Sequence, residues 1–295
     1  MSRVLLSRTG SLSICLRLCA LAAMACVPGA QSALAAAPAA GEDDQPRHVY
    51  YTGSSSLTTP AVELWAIEVT GRKVTTTDIG PINVPGCASM AMSPSGTLLS
   101  MCGNLFGDQQ LTSIDTKTGH GTPFGHPVPG LAIMAMAFGP DGTLYAVGDC
   151  NPDSNFTDCG MGPSDPNYNS LYTVNVATGD VTRIGSTGAP EFFMDLALDR
   201  HGNLWGVTTT LGASHIPAVL YRINTETGAA TKIVNLVGST TVMGLAFAPD
   251  GKLYATDWAN NPGLYLVDPK TGFESAIAAL PFPLSSGLEP ADPLP

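Results

Sequence analysis

Small and large apolar residues alternate along the chain in a phrase that returns four times. It reads ASMAMSPSGTLLS at 88–100 and MAMAFGPDGTLYA at 134–146. It returns as MDLALDRHGNLWG at 194–206 and MGLAFAPDGKLYA at 243–255. The alternation has the period of two that marks a strand. Each copy predicts a strand, a turn on Gly96, Gly142, Gly202 or Gly251, and a second strand. Five residues before each of these glycines stands a small residue between large ones: Ala91, Ala137, Ala197 or Ala246.

A second phrase follows each copy. It reads LTSIDTKTG at 111–119, LYTVNVATG at 171–179, LYRINTETG at 220–228 and LYLVDPKTG at 264–272. A shorter copy, LWAIEVTG, occupies 64–71. Four of the five copies carry Asp or Asn four residues before the glycine. Such a side chain can bond the backbone that turns, and the glycine can take a positive φ. These are hairpin turns between strands.

Together the phrases make a unit of strand, turn, strand, loop, strand, turn, strand. The closing glycines Gly71, Gly119, Gly179, Gly228 and Gly272 lie 48, 60, 49 and 44 residues apart. Four antiparallel strands in such a unit make one propeller blade. The long interval is explained by an insertion around 150–169. The expected fold is all-β: a β-propeller of four-stranded antiparallel blades, five by this count, with six or seven left open. The N-terminal unit lacks its first strand. The stretch 285–291 would have to donate it to close the ring. Its Gly287 and Pro290 make it a poor strand.

Composition agrees with many turns. The 295 residues include 32 Gly and 24 Pro, which argues against a helical bundle. At 44% hydrophobic and 13% charged, the chain is too apolar to be disordered. The first 35 residues read as a cleaved signal peptide: Arg3, Arg8 and Arg17, an apolar stretch over 18–27, then Ala33-Leu34-Ala35 before Ala36. The expected layout is a signal at 1–35, a linker at 36–47, the propeller at 48–284 and a tail at 285–295. The address is secreted or periplasmic, and the apolar stretch is too short to span a bilayer. Losing three arginines and no acid takes the formal charge from −11 to −14. An acidic chain is a poor partner for nucleic acid.

Export also sorts the cysteines. Cys87, Cys102, Cys150 and Cys159 remain, an even number in an oxidising compartment. Proximity favours Cys87–Cys102 and Cys150–Cys159 among the three possible pairings. Cys87 and Cys102 flank the turn at 93–97 almost symmetrically. A zinc site is the rival reading, and no C-x-x-C or nearby partner His supports it.

The phrases LAFAPDGKLYATD (245–257) and LYxVxxxTG resemble exported propellers of the NHL-repeat, gluconolactonase-like and YVTN-repeat group. The resemblance covers roughly 48–280 and speaks to blade geometry. In the gluconolactonase group a divalent cation polarises a lactone carbonyl while an acidic residue aids proton transfer. Carried onto this chain, that implies at most Asp195, Asp257, Asp149 and Glu191, with Ca²⁺ or Mg²⁺ as the ion. Seven residues before the turn glycines stand Ser89, Ala135, Asp195 and Gly244, of which only Asp195 is charged. Met243-Gly244 replaces an Asn-Gly common in that group, which weakens the transfer.

Asp195 and Asp257 are thus the candidate catalytic pair, and Asp195, Asp257 and Asp149 the candidate metal ligands. Glu191, Asp149 and Trp258 are the candidate ligand contacts. The competing reading of these carboxylates is turn capping in an acidic protein. No G-x-S-x-G and no phosphate loop occurs. Two functions follow from this. One is a binding protein that takes a protein, glycan or small ligand at its channel-end loops. The other is a metal-dependent hydrolase of the lactonase type.

Overall fold

The computed structural model describes residues 46–56, 59–103, 108–149, 168–209, 216–239, 241–257, 262–282 and 285–292. They form twenty strands in five four-stranded antiparallel sheets, with no helix among the described residues. The first blade takes β1 (Arg47–Ser56), β2 (Thr59–Thr70) and β3 (Lys73–Pro81). The second holds β4 (Met90–Met92), β5 (Leu98–Gly103), β6 (Gln109–Ile114) and β7 (Gly121–Pro123). The third holds β8 (Ala132–Phe138), β9 (Leu144–Asp149), β10 (Ser170–Val174) and β11 (Val181–Ser186). The fourth holds β12 (Phe192–Leu198), β13 (Leu204–Thr209), β14 (Val219–Ile223) and β15 (Ala230–Asn235). The fifth holds β16 (Val242–Phe247), β17 (Leu253–Asp257), β18 (Gly263–Val267) and β19 (Glu274–Ala279). The chain is a five-bladed β-propeller.

The last strand, β20 (Ser285–Pro290), returns to β1 and completes the first blade in the order β20-β1-β2-β3. Glycine and proline suit this strand for local reasons. Gly287 sits at an irregularity between Ser286 and Glu289 with φ +67°, and a Cβ there would stand 3.0 Å from the Met90 amide. Pro290 faces Tyr50 at a pair that exchanges no ladder bonds, because the next residue makes the bond, Ala291 N to Val49 O at 2.8 Å. A missing N–H costs nothing to the ladder at that place.

Five apolar clusters fill the five seams between neighbouring blades. One joins Val62 and Leu64 of the first blade to Met90 and Leu98 of the second. Another closes the ring, packing Tyr50 and Leu288 of the first blade against Ala246 and Tyr254 of the fifth. The small position of the first phrase follows from this packing. Ala137, Ala197 and Ala246 pair with Tyr145, Trp205 and Tyr254 on the second strands. Trp205 then reaches Phe247 of the next blade, ring centroids 5.6 Å apart. An aromatic beside an alanine fills a seam that two large residues would overpack.

The second-phrase turns behave as their residues require. Gly179 N bonds Asn175 O at 2.8 Å, and Ala177 N bonds the Asn175 side chain at 2.9 Å. Gly179 takes φ +79°. Asp115, Asn224 and Asp268 repeat the arrangement. Cys87 and Cys102 form a disulfide at the open end of the β4–β5 hairpin. Cys150 and Cys159 lie outside the described residues.

Candidate functional site

A propeller leaves one structural problem at its axis. The inner edge of each first strand has no neighbour, so its N–H and C=O groups point into the channel. Alternate residues of a strand face that edge. The backbone bonds that open each hairpin, Ser93 N to Thr97 O, Gly139 N to Thr143 O, Asp199 N to Asn203 O and Ala248 N to Lys252 O, fix which ones. By that register the axis-facing amides are Met90, Met136, Leu196 and Leu245 at mid-channel. Nearer the hairpin turns they are Met92, Phe138, Leu198 and Phe247.

Asp195 meets the mid-channel set. Its Oδ1 accepts from Leu196 N at 3.0 Å and from the Ser89 hydroxyl at 3.2 Å. Its Oδ2 accepts from Leu245 N at 2.8 Å and Leu288 N at 2.9 Å. Ser89 Oγ in turn accepts from Met136 N at 2.9 Å. Two side chains from the second and fourth blades therefore bind amides of the third, fourth, fifth and first. Asp195 is 1% exposed, and its four ordinary acceptor positions are filled by protein donors. Burial pushes its carboxyl well up, while the three amides and the hydroxyl oppose that push.

The hairpin end of the channel is different. A cavity of about 300 Å³ opens there, lined by the ends of the inner strands. Asp199, Arg200 and His201 line it together with Glu289 of the closing strand, whose Oε1 accepts from Met92 N at 2.8 Å. Burial pushes the Glu289 carboxyl well up, the Met92 amide pulls it back, and Asp195 adds a smaller push. Asp199 stands at the rim. Burial pushes its carboxyl up, but bonds from Trp205, Asn203 and His201 outweigh this and hold it below the usual range.

Asp149 and Asp257 end the second strands β9 and β17, so both lie at the opposite end of the channel. Both are buried, and Asp257 Oδ1 accepts from the Thr241 hydroxyl at 2.7 Å. Glu191 accepts from the Tyr221 hydroxyl at 3.0 Å. Asp149 and Glu191 are brought together around Tyr168, whose phenol is pushed up to about 12, first by burial and then by these two carboxylates. Trp258 lies outside the described residues. Asp149, Asp195 and Asp257 are not brought together. Among the described residues, no group of three or more His, Cys, Asp or Glu is placed to hold a metal ion.

Sequence reasoning passed over Glu289 and gave Ser89 no role. Ser89 holds the same position in its phrase as Asp195 but carries no charge to mark it. Glu289 lies in the tail expected at 285–295. Aligned as a first strand, 285–291 puts Leu288 level with Leu196 and Glu289 level with Ala197, one step nearer the turns.

The sequence matches no protein-family model and no curated protein. Solved structures do resemble the fold. A protein of unknown function from Bacteroides thetaiotaomicron is 14% identical with a TM-score of 0.51, over 82% of this chain and 67% of that one. TolB from Acinetobacter baumannii is 15% identical with a TM-score of 0.47, over 79% of this chain and 53% of its own. The chain thus spans about half of TolB. A gluconolactonase from Xanthomonas campestris is 11% identical with a TM-score of 0.46, over 81% and 78%. The likeness is one of fold.

No helix among the described residues is long and apolar enough to cross a membrane.

Proposed function

We propose that this chain is an exported binding propeller that takes its ligand at an end of the channel. One observation carries the reading: Asp195, the charged residue of the inner ring, spends its whole acceptor capacity on the fold, while an open cavity stands beyond it at the hairpin end. A carboxylate with four protein donors has no lone pair left for a cation or a substrate proton. Of a protein, a glycan or a small ligand, a cavity of about 300 Å³ suits the small one. At the opposite end, Asp149 and Glu191 are the proposed contacts; the other candidate contact, Trp258, lies outside the described residues.

A lactonase-type hydrolase would need Asp195 to leave its amides, or Asp257 and Asp149 to work without it. Metal analysis of the purified chain, with lactone turnover before and after chelation, separates the two functions. The expected result is no turnover that chelation abolishes. Chelator-sensitive turnover with stoichiometric divalent metal would overturn the binding reading. Export is tested separately. N-terminal sequencing of the protein from the periplasm or medium should begin at Ala36.

A further inference from the structure

The cavity at the hairpin end presents a pattern of donors and acceptors that selects a ligand class, and the inference rests on the binding reading above. Of the four amides that face the axis there, Met92 N is taken by Glu289. No described side chain accepts from the amides of Phe138, Leu198 and Phe247. The inner strand of the first blade, β20, contributes Pro290, which has no N–H to offer. The same register turns the carbonyls of Phe138, Leu198 and Phe247 toward the axis, since a residue in a non-bonded pair sends both groups to its free edge. The cavity wall therefore offers both kinds of group from three blades, and Glu289 stands across from them.

The polar groups around the cavity carry both signs. An anion would meet the amides, Arg200 and His201, but also the carbonyls of the same three residues, Asp199 and Glu289. A cation would meet the carbonyls but also three outward-pointing N–H dipoles. A hydroxyl both donates and accepts, so it satisfies a wall of mixed edge groups where a pure donor or pure acceptor leaves half of it bare. We propose that the hairpin-end cavity binds a small uncharged polyol of monosaccharide size, its hydroxyls bridging the Phe138, Leu198 and Phe247 edges and the Glu289 carboxyl. This site lies at the end of the channel away from Asp149 and Asp257, and it needs no metal.

The test is a titration of the ¹⁵N-labelled protein with D-glucose, myo-inositol and glycerol, with sodium acetate and ammonium chloride as charged controls. The expected result is saturable shifts of the Phe138, Leu198 and Phe247 amides with at least one polyol, larger than with either salt. Glu289→Gln keeps an acceptor for Met92 N and a donor for the ligand, and should bind within about twofold of the parent. Glu289→Leu removes one bonded group and should bind about tenfold more weakly. If Glu289→Leu does not fold, the amide map of the parent and of Glu289→Gln decides. A stronger response to acetate or ammonium at these amides would overturn the proposal. So would no saturable response to any polyol. Shifts confined to residues around Asp149 and Asp257 would overturn it too, while leaving the broader binding function standing.

Discussion

The two ends of one channel solve the same problem in opposite ways. At mid-channel, four of the five inner-edge amides and one hydroxyl are gathered by Asp195 and Ser89 into one network. At the hairpin end, Glu289 takes one amide and three more face a cavity. The backbone is the same in both rings, so the difference lies in which side chain stands beside it. A carboxylate one bond shorter than glutamate and fully enclosed becomes a structural tie. A carboxylate on a strand end beside open space is left with capacity for something else. A buried, charged residue in a channel is therefore poor evidence of chemistry until its acceptors are counted.

The largest test of this contrast is to remove the tie. Asp195→Ala leaves the Leu196, Leu245 and Leu288 amides and the Ser89 hydroxyl without their acceptor inside the protein. Each buried donor left unsatisfied costs about 1–3 kcal/mol, so losing the acceptor of four of them should cost about 3–5 kcal/mol after the site relaxes. Urea denaturation should show the midpoint falling accordingly, and Asp195→Asn should lose less because one oxygen still accepts. A parent-like midpoint for Asp195→Ala would mean that water enters and replaces the carboxylate, and the two ends would then not differ in kind.

Ser89→Ala probes the second member of the network. It strips the Met136 amide of its acceptor and Asp195 of one donor, and should cost about 1–3 kcal/mol by the same measurement. The double variant with Asp195→Ala should cost less than the two single losses added, since both act on one network.

How much of this was legible depended on whether the signal was local. The hairpin glycines, the Asp and Asn of the second phrase and the alanine opposite an aromatic all act within one blade, and each had its sequence mark. The Cys87–Cys102 bond spans a single hairpin and was equally visible. Asp195 stood out because it is the one charge among Ser89, Ala135 and Gly244. Its partners did not, because they are backbone amides of Leu245 and Leu288, which any residue supplies. The closing strand looked poor because Gly287 and Pro290 are penalised in an average strand. Only the register shows that one lies at an irregularity and the other at a position that donates nothing to the ladder.

The smallest effect concerns Glu289, and it distinguishes the ends by pH. Burial raises its folded pKa above the ordinary 4.5. Such a group holds its proton in the folded chain where the unfolded chain has lost it. Its contribution to stability is then fully present below about pH 4.5 and declines as pH rises toward the folded value. Glu289→Gln carries no proton to lose and still offers an oxygen to Met92 N. The variant should match the parent within about 0.5 kcal/mol near pH 4, as a near-isosteric change that keeps its hydrogen bond does. Its melting temperature should then rise relative to the parent as pH climbs from 4.5. A difference between the two proteins that stays flat with pH would place the ionised Glu289 at no disadvantage in the fold. The mouth of the channel would then be as well satisfied as the ring beneath it.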